Sequence, residues 1–169
     1  MIFDKNGNAP TFYKHKHTLR NFWKDMVAVT AGKVQKLGAL EELRNGLVHS
    51  MKTGDTLAIY LKNLAPDFKT DWKDDKVWPI NEISDFDEWR EDEKYMKIVN
   101  DKENVGLTGD KGNYILQESH TMVFVSKYQN DEHMLEVMKG IPNSDMMQVI
   151  ITIPQEEEAA LEQKQKQEE

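Results

Sequence analysis

Apolar residues recur at three- and four-residue steps over residues 18 to 34, with Leu19, Phe22, Trp23, Met26 and Val27 on one helical face. The spacing predicts an amphipathic helix that ends near Gly32 and Lys33. A second stripe of Leu40, Leu43, Leu47, Val48 and Met51 predicts a helix over 38 to 52, with Gly54 as its stop. Gly46 lies inside it at a cost of about 1 kcal/mol relative to Ala, so tertiary packing has to support this helix. The run Thr56-Leu-Ala-Ile-Tyr-Leu61 is short, apolar and bounded by turn residues, which suits a strand buried on both faces.

Residues 62 to 84 hold Pro66, Pro79, Trp72 and Trp78 among lysines and aspartates. They read as an irregular surface wrap with aromatic anchors. Asp85 with Glu88 gives a capping box, after which Phe86, Trp89, Met96 and Val99 keep a helical period to about Asn100. Residues 104 to 113 are glycine-punctuated turns, and Tyr114 to Leu116 reads as a short extended piece. Thr121-Met-Val-Phe-Val-Ser126 is the clearest core strand. Asn130 caps a helix carrying Met134, Leu135 and Met138 that ends near Gly140, and Met147 to Ile153 makes a third apolar strand.

Strand, helix, strand, helix, strand with near-continuous apolar strands is the pattern of an α/β fold. The expectation is a small, mostly parallel sheet of about three strands flanked by helices and preceded by two amphipathic helices. The domain reading is a loose basic arm at 1–17, one α/β domain at 18–154 with a helical front at 18–54, and a polar tail at 155–169.

Charge changes this picture more than composition does. The chain of 169 residues has a net charge of -8. Residues 1 to 54 carry nine basic against four acidic groups, residues 55 to 154 eleven against twenty, and the tail two against six. A +5 front therefore precedes a -9 body and a -4 tail. Such polarity is satisfied either by packing the front beside the body or by an acidic partner. The candidate partner-binding residues are His15, Lys16, His17, Arg20 and Lys24 in the basic front, with Trp72 and Trp78 as aromatic anchors.

Candidate chemistry is sparse. Zero cysteines exclude a disulfide framework, a thiolate nucleophile and a zinc-thiolate site. The nearest approach to a phosphate loop, Val27-Ala-Val-Thr-Ala-Gly32-Lys33-Val34, lacks the first glycine and the hydroxyl residue and sits on a helix. Gly106-Leu-Thr-Gly109-Asp-Lys-Gly112 reads as a surface turn before an anion cradle. His15 and His17 make a two-ligand pair without a second pair at a recognisable spacing, and the acidic pairs around Asp74 and Asp85 give no sign of a shared cleft. No catalytic residue, metal or cofactor is assigned. The opening residues have no apolar leader and no run reaches the roughly 18 apolar residues of a spanning helix, which leads to an expectation of a soluble cytoplasmic protein.

Three pieces taken in order resemble the later part of an AAA+ ATPase core, in particular the degenerate modules of dynein-like ciliary proteins. They are Leu43 to Gly54 running into Thr56–Leu61 and Ala65-Pro66-Asp67-Phe68, then His120 to Ser126, then Met147 to Ile153. In that family the first strand ends in an acidic pair that holds magnesium, whereas Lys62-Asn63 follows Leu61 here. The resemblance thus implies a P-loop-like core reduced to a structural piece without hydrolysis. The resulting expectation is a non-enzymatic subunit that docks with other proteins of a large complex, with the ciliary axoneme as that complex and tubulin among its partners. The alternatives are a nucleotide-binding protein using the strand ends near Asn63 and Lys127 under the Gly106–Gly112 loop, and an RNA-binding accessory protein, for which the basic residues are too few and too scattered.

Overall fold

The computed structural model describes residues 1–154, and its sheet is assembled from both ends of that range. The elements in chain order are β1 (Ile2–Asp4), α1 (Asn8–Lys16), β2 (Thr18–Arg20), α2 (Phe22–Thr30), α3 (Lys36–Thr53) and β3 (Thr56–Lys62), then three single-turn helices, α4 (Ile80–Ile83), α5 (Phe86–Trp89) and α6 (Asp92–Tyr95), and finally β4 (Thr121–Lys127), α7 (Asp131–Gly140) and β5 (Ile150–Thr152). All strand pairs are parallel, in the order β2-β3-β4-β1-β5. The fold class is α/β with a parallel sheet, but it has five strands and not three.

The two extra strands explain both corrections at the front of the chain. Residues 1–17 are not a loose arm: Ile2, Phe3 and Asp4 pair with Val125, Ser126 and Lys127 on one side and with Ile150, Ile151 and Thr152 on the other. A three-residue strand is too short for its alternation to register as a pattern, yet Phe3 is wholly buried. The helix expected over 18–34 starts only at Phe22. Leu19 stands three and four residues before Phe22 and Trp23, mimicking a helical step, but it belongs to β2 and pairs with Ala58. The two helices therefore lie between strands and do not precede the sheet.

Paired residues of parallel neighbours share a face. One face carries Leu57, Ile59, Leu61, Phe124 and Phe3, and it is covered by α2, α3, the 63–79 wrap and α7. Phe22 stacks on Phe68 at 5.4 Å, meets Trp72 edge-on at 5.1 Å, and Phe68 reaches Phe124 at 5.5 Å. The other face carries Ile2, Asp4, Tyr60 and Val123 and has α1 against it, where Ala9 and Tyr13 share a cleft with Ile2, Asp4 and Thr152. Ile2, Tyr60 and Val123 are only half-buried there.

α3 and β3 form as expected, with Gly54 in the left-handed conformation at the helix end (φ 70°). Gly46 has a packing reason: a Cβ there would stand 2.7 Å from Arg20 Nε and 3.2 Å from Leu57 Cδ1. The glycine lets α3 lie directly on β2 and β3. The helix expected from Asp85 to Asn100 is broken into α5, α6 and a 3-10 turn at Met96–Ile98. Trp89 and Tyr95 are both buried, although a continuous helix would aim them about 120° apart. Breaking the helix at Glu91 (ψ 134°) lets both reach the core. Asp85 still accepts from Glu88 N, and Asn130 accepts from His133 N at 2.8 Å, so both caps are present. Tyr114 to Leu116 forms no strand. β5 is shorter than the expected 147–153 strand, since only Ile150–Thr152 pair with β1, and it is not buried: Ile150 and Ile151 are 45% and 40% exposed. The 155–169 tail lies outside the described residues.

Arg44 is the polar pin of the core. Its side chain is 4% exposed, and it donates to the Ile98 carbonyl at 2.6 Å, Asn45 Oδ1 at 2.6 Å, Glu41, and both oxygens of Glu103 at 2.7 and 2.9 Å. Burial opposes its charge, but the Glu103 and Glu41 bonds outweigh this and raise its pKa.

Two substitutions test this packing. Gly46→Val should lower unfolding free energy by about 2 kcal/mol in urea titrations, despite the better helix propensity of Val, because the branched side chain overpacks against Arg20 and Leu57. Arg44→Ala should cost about 3 kcal/mol in the same measurement, as it leaves Glu103 and the Ile98 carbonyl without their donor.

Candidate functional site

Open parallel sheets hold ligands outside the carboxyl ends of their strands, where neighbouring strands send their connections to opposite faces. Here that point lies between β1 and β4: β1 leaves through α1 on the thinly covered face, and β4 leaves through α7 on the core face. A cleft of about 270 Å³ sits at this point, lined by Asp4, Lys5, Gly7, Tyr60, Lys62 and Lys127.

The turn from β1 into α1 is short because Gly7 takes the left-handed conformation (φ 75°), which aims the first amides of α1 at the strand end. Such amides are ready to receive an anion. The anion present is the protein's own. Asp4 is 1% exposed, and its Oδ2 accepts from Ala9 N at 2.9 Å while Oδ1 accepts from Asn6 N at 3.0 Å and Thr152 Oγ1 at 2.7 Å. One carboxylate thus satisfies the helix end, closes the turn and ties in β5.

Two of the three lysines that line the cleft lie over aromatic rings. Lys5 Nζ lies 4.9 Å from the Tyr128 ring centre and Lys62 Nζ 4.3 Å from that of Trp23, both suited to cation–π attraction. Lys62 has φ 56° at the shift in register after Tyr60, a strained conformation for a lysine, and its carbonyl accepts from Ser126 Oγ at 3.1 Å. Burial, and then the negative charge of Asp4, push the Tyr60 hydroxyl above the ordinary tyrosine value. Chemically the arrangement clasps a helix to a sheet. A phosphate entering it would have to displace Asp4 or share space with it.

The seven residues marked in the sequence do not converge on one surface. His15 and Lys16 are exposed on the last turn of α1, and Lys24 is exposed on α2. His17 turns inward, its Nδ1 2.7 Å from Asp55 Oδ1, which separates it from His15 as a metal pair. Arg20 donates to Glu42 at 3.2 Å. Trp72 and Trp78 are buried at 7% and 0% exposure and pin the wrap to its own core, so they present no anchor at the surface. Part of the basic front is matched to acids within the fold: His17 meets Asp55, Lys36 meets Asp71, and Arg44 meets Glu103. The Gly106–Gly112 loop borders a cleft with Lys52 and Gln117, beside the starts of β3 and β4. Asn63 and Lys127 lie at the opposite ends of those strands, about 20 Å away for seven residues, so the expected phosphate cradle is not assembled. Among the described residues, no cluster of three His, Asp or Glu is placed to hold a metal ion.

Two features escaped the sequence reading. Asp4 could have been found by treating Asp-x-x-Gly7 as a strand-to-helix turn, but β1 itself was not legible. The other is a larger cleft of about 460 Å³ at the opposite pole of the sheet, reached by Met1, Tyr13, Phe86, Met122, Met146 and Ile150. Its only sequence signal is the nine methionines, which periodicity had assigned elsewhere or left in loops. Against known proteins, no family model matches the chain, and neither the curated proteins nor the solved structures give a match.

A pH dependence follows from the cluster around Asp55. Burial works against its carboxylate, but donation from His17, Thr18 Oγ1 (2.7 Å) and Thr56 N (2.8 Å) holds its pKa below the ordinary value of 3.8. Its carbonyl meets Nδ1 of His120 at 2.9 Å, and burial keeps His120 below the ordinary 6.5. The unfolded chain therefore binds more protons than the folded one between the lowered His120 value and 6.5, and again below 3.8. In thermal unfolding the contribution of this cluster should be full above pH 6.5, fall as pH drops below that value, and fall again under pH 4. His120→Gln should remove the first step and leave the second.

Proposed function

We propose that the chain is a non-enzymatic α/β module that docks with other protein subunits in a larger assembly. The observation that carries this reading is Asp4: the helix end at which this topology would take an anionic ligand is filled by an internal carboxylate with three donors. Absence of an acidic pair at the end of β3 points the same way, since Lys62 and Asn63 offer no carboxylate to hold magnesium or activate water. The AAA+-like pattern is the ground for taking the assembly to be a ciliary, microtubule-associated one in the cytoplasm. In that setting the exposed His15, Lys16 and Lys24 are the groups available to an acidic tubulin surface. Among the described residues no helix is long and apolar enough to cross a membrane, which fits docking to protein and not insertion.

A second reading, nucleotide binding, is favoured by one observation: Lys5, Lys62 and Lys127 line the cleft at the switch point. One titration separates the two. The docking reading expects no heat and no thermal shift with ATP or GTP, with or without magnesium, at millimolar concentration. A bound nucleotide at 100 times its Kd would stabilise the fold by about 2.7 kcal/mol, a shift that is easily seen. Asp4→Asn should lower stability by about 1 to 3 kcal/mol through the weakened clasp and still bind no nucleotide. A saturable shift with ATP in the parent chain would overturn the docking reading.

A further inference from the structure

The cleft at the starting ends of β1, β4 and β5 lies at the opposite pole from Asp4, and its composition differs from that of the switch-point cleft. Its floor is Ile2, Met122, Val123, Phe124 and Ile150, with Tyr13 of α1 as one wall and Phe86 and Met146 at the mouth. At about 460 Å³ it has the size of a site for a ligand or a short run of side chains. Met1, Met122, Met146 and Met147 all reach it, and the unbranched thioether suits a surface that must fit an irregular apolar guest. Met146 is 82% exposed, Phe86 36% and Ile150 45%, so the apolar lining continues out onto the surface.

The charged side chains of the mouth have one sign. The charged side chains lining the cleft are Asp85 and Asp87, both exposed, and the exposed Glu88 and Asp145 adjoin them in the chain. The α-amino group of Met1 donates to the Gln148 carbonyl at 2.5 Å. An apolar floor under an acidic rim is complementary to an apolar stripe flanked by lysine or arginine. Two other occupants fit less well. Residues 155–169 carry six Glu against two Lys and have Leu161 as their one large apolar residue, so they match neither the rim nor the floor. A second copy would bring another net charge of -8 to an acidic surface.

We infer that this cleft receives a basic amphipathic segment of a partner protein, its large apolar side chains on the methionine-lined floor and its cations against Asp85 and Asp87. The inference rests on the docking reading and names the chemistry of the partner. Docking by this route falls with rising salt, and it leaves the basic groups at the end of α1 available for other contacts.

The test uses the full chain and a labelled helical peptide of about 18 residues with Leu and Lys in amphipathic spacing, beside a Leu and Glu peptide of the same spacing, read by fluorescence anisotropy. The Leu and Lys peptide should bind saturably and the acidic one should not. Met146→Ser and Asp87→Asn, both at exposed positions that the fold does not depend on, should each weaken binding about fivefold or more. Asp101→Asn, an exposed acid in a different loop, should leave it unchanged. Absence of binding overturns the inference, as does equal binding of both peptides or an equal loss in Asp101→Asn, which would signify general charge attraction. Sedimentation showing a dimer that Met146→Ser dissociates also overturns it, by giving the cleft to a second copy. Nucleotide binding in the titration described above would remove the docking reading alone and leave the peptide result standing, so the two failures are distinguishable.

Discussion

The carboxylate of Asp4 holds together parts of the chain that nothing local would join. Its two oxygens take donors from the β1–α1 turn, from the first turn of α1 and from Thr152 in β5. A charge buried to this degree is tolerable only when its acceptor capacity is filled, and here amides at a helix end and a hydroxyl fill it. The orientation of α1, its coverage of the second sheet face and the position of the edge strand all follow from that clasp. Most of the remaining core, by contrast, is ordinary apolar packing between the first face and the helices above it.

The same economy governs the charges. A front of +5 and a body of -9 suggest a molecule built to meet something acidic, but His17, Lys36 and Arg44 are each matched by an acid of the body. Part of the polarity is consumed in attaching the end of α1 and the helix α3 to the rest of the fold. What is left for the outside is spread along the front on the basic side, at Lys14, His15, Lys16, Lys24 and Lys33, and is concentrated on the acidic side around Asp85 and Asp87.

The longer elements were legible in the sequence because their patterns have room to repeat. α3, β3, β4 and α7 each span seven residues or more, and their caps at Gly54 and Asn130 are local chemistry. β1 and β2 were not legible: at three residues each they carry no period, and their identity as strands comes from partners more than a hundred residues away for β1 and about forty for β2. The continuous helix after Asp85 failed for the opposite reason. Its period was real, but Trp89 and Tyr95 both gain more from burial than the helix gains from continuity. The site followed the strands. Trp72 and Trp78 read equally well as anchors for a partner or for the fold, and only tertiary structure separates those meanings.

The pairing of β1 has a kinetic side. Ile2 to Asp4 are made before the other strands of the sheet, yet they lie between β4 and β5, whose residues emerge more than a hundred positions later. Until then β1 has no partner strand, its backbone groups unpaired and Phe3 without a core to enter. Contacts of such sequence separation form slowly, and exposed strand edges in waiting intermediates are prone to wrong pairings. The sheet must therefore stay incomplete until β4 and β5 have emerged, and that interval is when a chaperone has the most to protect.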